Sequence, residues 1–305
     1  IDNSLTSFTY SQNSFELGMA SIEASHKMDK GSIFVDLGFG NRAAQFTYND
    51  GVKTFIIKQL NFTYKFSDKF KVTLGSFATH VGYELVDAVD NKNYSMSYAF
   101  TYGPFFNTGI KVQYTSNKFS FMAGVSNPTD LKSTIDAGST QKTFIGQLAF
   151  LGDTGSAYFN VTSGSSNPSS DENKTQFDFV GKKKLSKAFS LGFNGTYALT
   201  TNDLDSALDG EWFSLVGYVN FIVKESSSVA YRLEYLDAKQ ATDRLGLLTG
   251  TSVIGNTLSL NYKVGNLTII PEFRFDIASE DIFTDSNAAP KGLTAYALLA
   301  TTYSF

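Results

Sequence analysis

The last fourteen residues, Gly292 to Phe305 (GLTAYALLATTYSF), limit the fold more than any other stretch of the chain. Read two at a time, Leu293, Ala295, Ala297, Leu299, Thr301, Tyr303 and Phe305 share one face, and Thr294, Tyr296, Leu298, Ala300, Thr302 and Ser304 share the other. A period of two is the mark of a β-strand, and one side of this strand is almost wholly apolar. It finishes on Phe305, with Tyr303 two residues before it. A soluble sandwich whose final strand happens to end on Phe would look the same, so the rest of the chain has to decide.

Composition narrows the choice. The 305 residues are 42% hydrophobic and include 28 Phe, 16 Tyr and 25 Gly, yet the mean hydropathy is only -0.12. Apolar runs are a few residues long, far short of the ~20 that a membrane-spanning helix needs. A membrane is therefore crossed by strands or not at all. Cysteine is absent, which excludes disulfides and cysteine-ligated zinc and suits export through an oxidising compartment. The opening IDNSLTSFTY lacks the basic-then-apolar order of a signal peptide, so an exported chain would be a processed or trimmed form.

Segments of period two recur along the whole chain. After SLTSFTY and a stretch from Phe15 to His26, Ile33, Val35, Leu37 and Phe39 oppose Ser32, Phe34, Asp36 and Gly38. Thr54 to Phe66 and Phe70 to Thr79 form a hairpin about Ser67-Asp68-Lys69. Further pairs are Phe106 to Ser116 with Phe119 to Val125, Thr143 to Leu151 with Ala157 to Thr162, and Gln176 to Lys184 with Phe189 to Leu199. Trp212 to Val223, Val229 to Leu236, Val253 to Val264 and Leu267 to Ile277 lead into the terminal strand. Two places fit less well: Phe15 to His26 changes face near Ser21, and Pro271 cannot donate to a ladder, so a bulge is expected at each.

Connections alternate between short polar turns and longer loops near residues 41 to 53, 81 to 93, 128 to 140, 165 to 173, 200 to 210, 238 to 251 and 278 to 291. A sandwich gives no reason for that alternation. Charges also sit in mid-strand: Glu272, Arg274 and Asp276 alternate with Ile269, Phe273, Phe275 and Ile277, and Arg232 and Glu234 alternate with Tyr231, Leu233 and Tyr235. A lipid-facing apolar band edged by aromatic girdles around a polar interior accounts for both features. The expected fold is thus all-β, one domain over 1–305: a transmembrane antiparallel outer-membrane β-barrel of about 16 strands, with 14 or 18 also fitting the length. Turns would lie in the periplasm and loops outside the cell. Tyr303 and Phe305 match the C-terminal assembly signal that the barrel assembly machinery reads. Tyr94 to Tyr102 also alternates, but it joins the next strand through Gly103-Pro104, so it reads as a strand extension beyond the membrane or as a loop folded into the lumen.

Val72 to Ser116 resembles the OmpL-like β-barrel porin family (porin-2) of Bacteroidetes. The resemblance rests on Leu74, Gly75 and Phe77; Gly82 and Glu84; Ser95 and Ser97; and Pro104, Thr108 and Gly109. The family's opening Gly-Tyr-aromatic strand is not found, which leaves the N-terminus incomplete on that comparison. The resemblance implies an outer-membrane diffusion channel without catalytic residues.

Other chemistries are thinly supplied. His26 and His80 lie near strand ends with no acidic or Ser partner picked out by spacing, so an enzyme is not expected. Asp203, Asp205 and Asp209, or Glu280, Asp281 and Asp285, could offer oxygens to Ca²⁺, but on surface loops they read as a solvated acidic rim, and no metal or other cofactor is expected. Lys182, Lys183, Lys184 and Lys187 surround a short turn and read as a basic periplasmic rim, not a nucleic-acid site. The resulting expectation is a porin-like channel of the bacterial outer membrane passing small hydrophilic solutes by passive diffusion. Asp36, Lys111, Gln113, Asp178, Arg232, Glu234, Glu272, Arg274 and Asp276 would line the pore. The alternative is a non-conducting structural or partner-binding barrel in a larger outer-membrane complex. Partners would be outer-membrane lipid and lipopolysaccharide, the assembly machinery, and a homo-oligomer or complex. On this reading Phe273→Arg harms the barrel and Arg274→Gln does not.

Overall fold

The computed structural model describes residues 4–49, 57–134, 141–165, 171–241 and 245–305. Its strands are β1 Ala20–Lys27, β2 Gly31–Phe39, β3 Ile57–Lys65, β4 Phe70–Ala78, β5 Phe106–Ser116, β6 Phe119–Ser126, β7 Thr143–Gly152, β8 Gly155–Ser165, β9 Glu172–Lys184, β10 Phe189–Asn202, β11 Gly210–Lys224, β12 Ser227–Gln240, β13 Ser252–Val264, β14 Leu267–Ala278, a minor pair β15 Phe283–Thr284 and β16 Pro290–Lys291, and β17 Leu293–Tyr303. Two short helices, α1 Asn41–Phe46 and α2 Tyr98–Thr101, lie in connections. Among the described residues no helix is long and apolar enough to cross a membrane.

Fifteen strands form one antiparallel sheet in chain order, β1 to β14 and then β17. That is one fewer than the sixteen expected. Each neighbouring pair is a hairpin, and the hairpin turns are of two kinds. Two of the two-residue turns carry a residue with positive φ, Asn117 (49°) between β5 and β6 and Gly265 (61°) between β13 and β14, which matches the turn twist to that of the strands. The opposite end carries the long connections.

Alternation sets the two faces. On the outside, Phe119, Phe121, Leu148, Phe150, Leu258, Leu260, Phe273 and Leu299 are exposed. Water does not tolerate an apolar band this continuous; lipid does. Tyr64, Tyr262 and Tyr303 mark the short-turn edge of the band, and Tyr197, Phe213 and Tyr235 mark the long-loop edge, as interfacial aromatics do. The molecule is a transmembrane β-barrel.

Three expectations need correction, the start of the first strand and the bulges near Ser21 and at Pro271. The first strand begins at Ala20, not Phe15, and pairs with β2 in unbroken register; the change of face near Ser21 was the strand's start, not a bulge. At Pro271 the β13 ladder lapses and resumes in the same register, while Pro271 pairs Leu299 on the other side. A missing N–H removes a bond without inserting a residue, so no bulge is needed. A bulge does occur at Lys58, where Asp36 pairs Gln59 but Leu37 pairs Ile57. Of the two readings of Tyr94 to Tyr102, the loop folded into the lumen is the one the structure shows, and the strand extension is not. The stretch belongs to a long inward segment, and residues of both its phases are buried, which a strand-like pattern cannot distinguish from a ladder.

Candidate functional site

Residues 79–105, between β4 and β5, cross the lumen as a strap. Their route follows from the sequence: Gly82 has φ +95°, Ser97 caps α2 by accepting from the Phe100 N–H at 3.2 Å, and Gly103-Pro104 ends that turn. A strap inside a barrel needs partners for its peptide groups, and the wall supplies them.

On the β9–β14 wall most of those partners are carboxylates. Glu272 accepts from the N–H groups of Tyr94 (2.7 Å) and Ser95 (2.9 Å) and from Ser259 Oγ at 2.6 Å. Glu234 Oε2 accepts from Tyr98 N–H at 2.7 Å, and Asp276 Oδ2 accepts from the Tyr98 hydroxyl at 2.8 Å. Asp178 takes the Gly82 N–H at 3.0 Å, Asn160 Nδ2 at 2.7 Å, and Asn194 Nδ2 in a short contact. The two arginines cross-brace this array. Arg232 Nη1 donates to Glu84 Oε1 (2.7 Å) and the Ser95 carbonyl (2.5 Å), while its Nε meets Glu234 at 3.2 Å. Arg274 donates to the Met96 carbonyl at 2.6 Å and pairs with Glu234 at 3.1 Å and Asp276 at 2.9 Å. Tyr83 stacks on Tyr218 with ring centroids 4.0 Å apart.

The opposite wall holds the strap through one lysine. The bulge turns Lys58 inward, where its Nζ meets Asp36 Oδ1 (3.1 Å), Asp87 Oδ1 (2.6 Å) and Ser21 Oγ (2.9 Å). Asp36 therefore orients the cation that grips the strap. Arg42 of α1 adds a third hold, its Nε donating to the Val86 carbonyl at 2.6 Å.

Above the strap, at the long-loop end, two apolar clusters fill the barrel. Leu5, Tyr98, Trp212, Leu236, Leu248 and Phe283 form one, and Phe8, Phe46, Met96, Phe100, Phe105 and Phe106 form the other. Below it, at the short-turn end, Tyr83, Glu84, Asn93, Ser190, Tyr218 and Asn220 line an open recess.

All nine residues expected on the inner face alternate with outward apolar neighbours, but the structure divides them. Asp178, Arg232, Glu234, Glu272, Arg274 and Asp276 are at most 3% exposed beneath the strap, and Asp36 is fully buried. Lys111 and Gln113 stand apart and only partly buried, with Lys111 Nζ 3.9 Å from the Phe77 ring centre and Gln113 Nε2 donating to Ser120 Oγ at 2.9 Å. Arg274 is thus part of a buried ion network, which overturns the expectation that Arg274→Gln is harmless. Sequence reasoning missed Lys58, Asp87 and Ser259, and noted Ser97 only for a resemblance. Glu84 was noted only for a resemblance, and nothing in its spacing announces a partner 148 residues away.

The remaining candidates are simply placed. His80 makes a 3.0 Å bond from Nε2 to the Val161 carbonyl, and His26 is exposed on β1. Among the described residues no group of three His, Cys, Asp or Glu stands close enough to hold a metal. Asp285 instead accepts from the N–H groups of Asn287 (2.8 Å) and Ala289 (3.0 Å), and these bonds hold its carboxyl below the usual range. Tyr303 and Phe305 lie 6.3 Å apart, ring to ring, at the exposed end of β17.

Comparison with known proteins places this geometry. Residues 2–305 match the family described as "Putative beta-barrel porin-2, OmpL-like". No curated protein matches the sequence. Among solved structures, a loop-deletion mutant of OmpT, an outer membrane protein of Vibrio cholerae, is similar with TM-score 0.62 at 12% identity, over 95% of this chain and 91% of that one. An anion-selective porin from Comamonas acidovorans gives TM-score 0.61 at 12% identity over 93% and 85%. The outer membrane channel DcaP of Acinetobacter baumannii gives 0.58 at 12% over 95% and 85%. At such identities these likenesses speak for the fold alone.

Proposed function

Because the chain belongs to the β-barrel porin-2, OmpL-like family of the outer membrane, we propose that it conducts small hydrophilic solutes by passive diffusion, through a lumen that the strap narrows. The observation that carries this reading is the division of the inner wall. The buried acids and arginines of β9–β14 hold the strap, whereas Lys111 and Gln113 on β5 are only partly buried and keep some polar surface beside it. The path then runs along the β3–β6 side, lined by Lys111 and Gln113, with Asp36, Asp178, Arg232, Glu234, Glu272, Arg274 and Asp276 fixing its other boundary. A polar wall facing a dry, rigid one favours small hydrated solutes and penalises apolar ones.

The two apolar clusters at the long-loop end favour a second reading, a closed barrel that serves as a structural or partner-binding component of an outer-membrane assembly. In either case lipid and lipopolysaccharide surround the apolar band, and Tyr303 and Phe305 are the residues for the assembly machinery to read. Planar-bilayer recording with purified protein separates the readings. Discrete conductance steps support the channel; silence after verified incorporation supports the closed barrel. No enzymatic role is proposed.

A further inference from the structure

We propose that the short-turn mouth of the lumen is a collecting site for compact multivalent anions, of the carboxylate or phosphate class. This names the solute class for the channel reading and rests on it for transport, though not for binding. Five lysines, Lys65, Lys71, Lys182, Lys184 and Lys263, occupy inward positions on the short-turn halves of β3, β4, β9 and β13, and a sixth, Lys111, stands inward at the middle of β5. The register fixes their side: Lys65 and Lys71 continue the row of the paired Thr63 and Thr73, Lys184 stands opposite Ser190 of the recess, and Lys263 stands opposite Thr268. Lys182 Nζ lies 4.6 Å from the ring centre of Tyr83 on the strap.

Three features separate this group from an ordinary solvated face. First, among the described residues none of the six has an ion pair, although the same lumen pairs Lys58, Arg232 and Arg274 closely. Second, the acids of this end, Asp29, Asp68, Asp153 and Glu225, sit in the turns, and the acids that reach the lumen nearest the lysines are Glu23, level with Asp36 on β1, and Glu84 of the recess, which Arg232 pairs. Third, Lys65 and Lys71 are direct cross-strand partners. Like charges directly opposite are destabilising, and a bound anion relieves that repulsion. A concave wall of one sign also focuses the field and raises the local anion concentration. The aromatic rings under Lys111 and Lys182 hold their ammonium groups in place without neutralising them.

Two measurements test the site. Isothermal titration of the detergent-folded barrel with citrate and with pyrophosphate reads binding without any need for conductance. Reversal potential under a KCl gradient reads selectivity. The variant Lys65→Gln/Lys71→Gln/Lys111→Gln is compared with Lys118→Gln/Lys183→Gln/Lys187→Gln, which removes equal charge from turns and from the outward face of β9. Folding of each is checked by heat-modifiable electrophoretic mobility. The expected result is anion binding by the wild type and the outer control, weakened about tenfold or more in the inner variant, with a reversal potential on the anion side that moves towards zero. Binding by a silent barrel upholds the site and refutes transport. Conductance without anion preference, equal loss in both variants, or no binding at all overturns the proposal.

Discussion

Phe273 and Arg274 are neighbours in β14 with opposite surroundings. Phe273 is half-exposed on the outer band, and Arg274 is fully buried among Asp276, Glu234 and the Met96 carbonyl. Phe273→Arg puts a cation into lipid, at a cost of about 2–4 kcal/mol near the midplane. Arg274→Gln leaves buried Asp276 without its cation and Glu234 with Arg232 alone, at about 3–5 kcal/mol. Both variants should therefore lower the urea midpoint of the barrel folded into lipid vesicles, and Phe273→Arg should also slow insertion. A wild-type midpoint for Arg274→Gln would mean that the network does not hold the strap. Alternation in the sequence was enough to send Arg274 inward. It could not supply the partner, because the Met96 carbonyl is 178 residues away and is brought there by the strap.

At the scale of elements, the hairpins were legible, and the strap only as one of two readings of Tyr94 to Tyr102. Paired runs such as Phe106 to Ser116 with Phe119 to Val125 came out within a residue of β5 and β6, because a half-buried strand has a period that its own side chains display. Tyr94 to Tyr102 has the same period for another reason: its aromatic residues pack among the apolar clusters while Ser95 and Ser97 bond to Arg232 and Glu84. The bulge at Lys58 left no trace in the pattern, since one extra inward residue looks like a strand end. Topology is testable at this scale with no thiol background, as the chain has no cysteine. Leu204→Cys, 80% exposed in the β10–β11 connection, should react with an impermeant maleimide on intact cells, and Ser186→Cys in the β9–β10 turn should not. Labelling of Ser186→Cys alone would turn the barrel over and put the lysine mouth outside the cell.

For the whole molecule the question is whether the strap constricts the lumen or seals it, and the anchors offer a clean way to ask. Most carboxylates of the network cannot be removed without loosening a buried cation, because Glu234 and Asp276 of the wall are tied to Arg274 and Glu84 of the strap is tied to Arg232. Glu272 and Asp178 differ. Their bonds come from strap N–H groups and from neutral wall side chains, Ser259 for one and Asn160 and Asn194 for the other. Glu272→Ala/Asp178→Ala therefore frees the strap at two separated points while the arginine network stays paired. The cost is orphaned donors, about 1–3 kcal/mol each, against which Lys58, Arg232 and Arg274 still hold the segment inside. In planar bilayers a constricting strap then gives larger steps and more flicker than the wild type. A sealing strap gives steps in the variant where the wild type is silent. Unchanged steps from a variant that folds and incorporates would place the conducting path away from the strap, and silence from both would leave the closed barrel as the function.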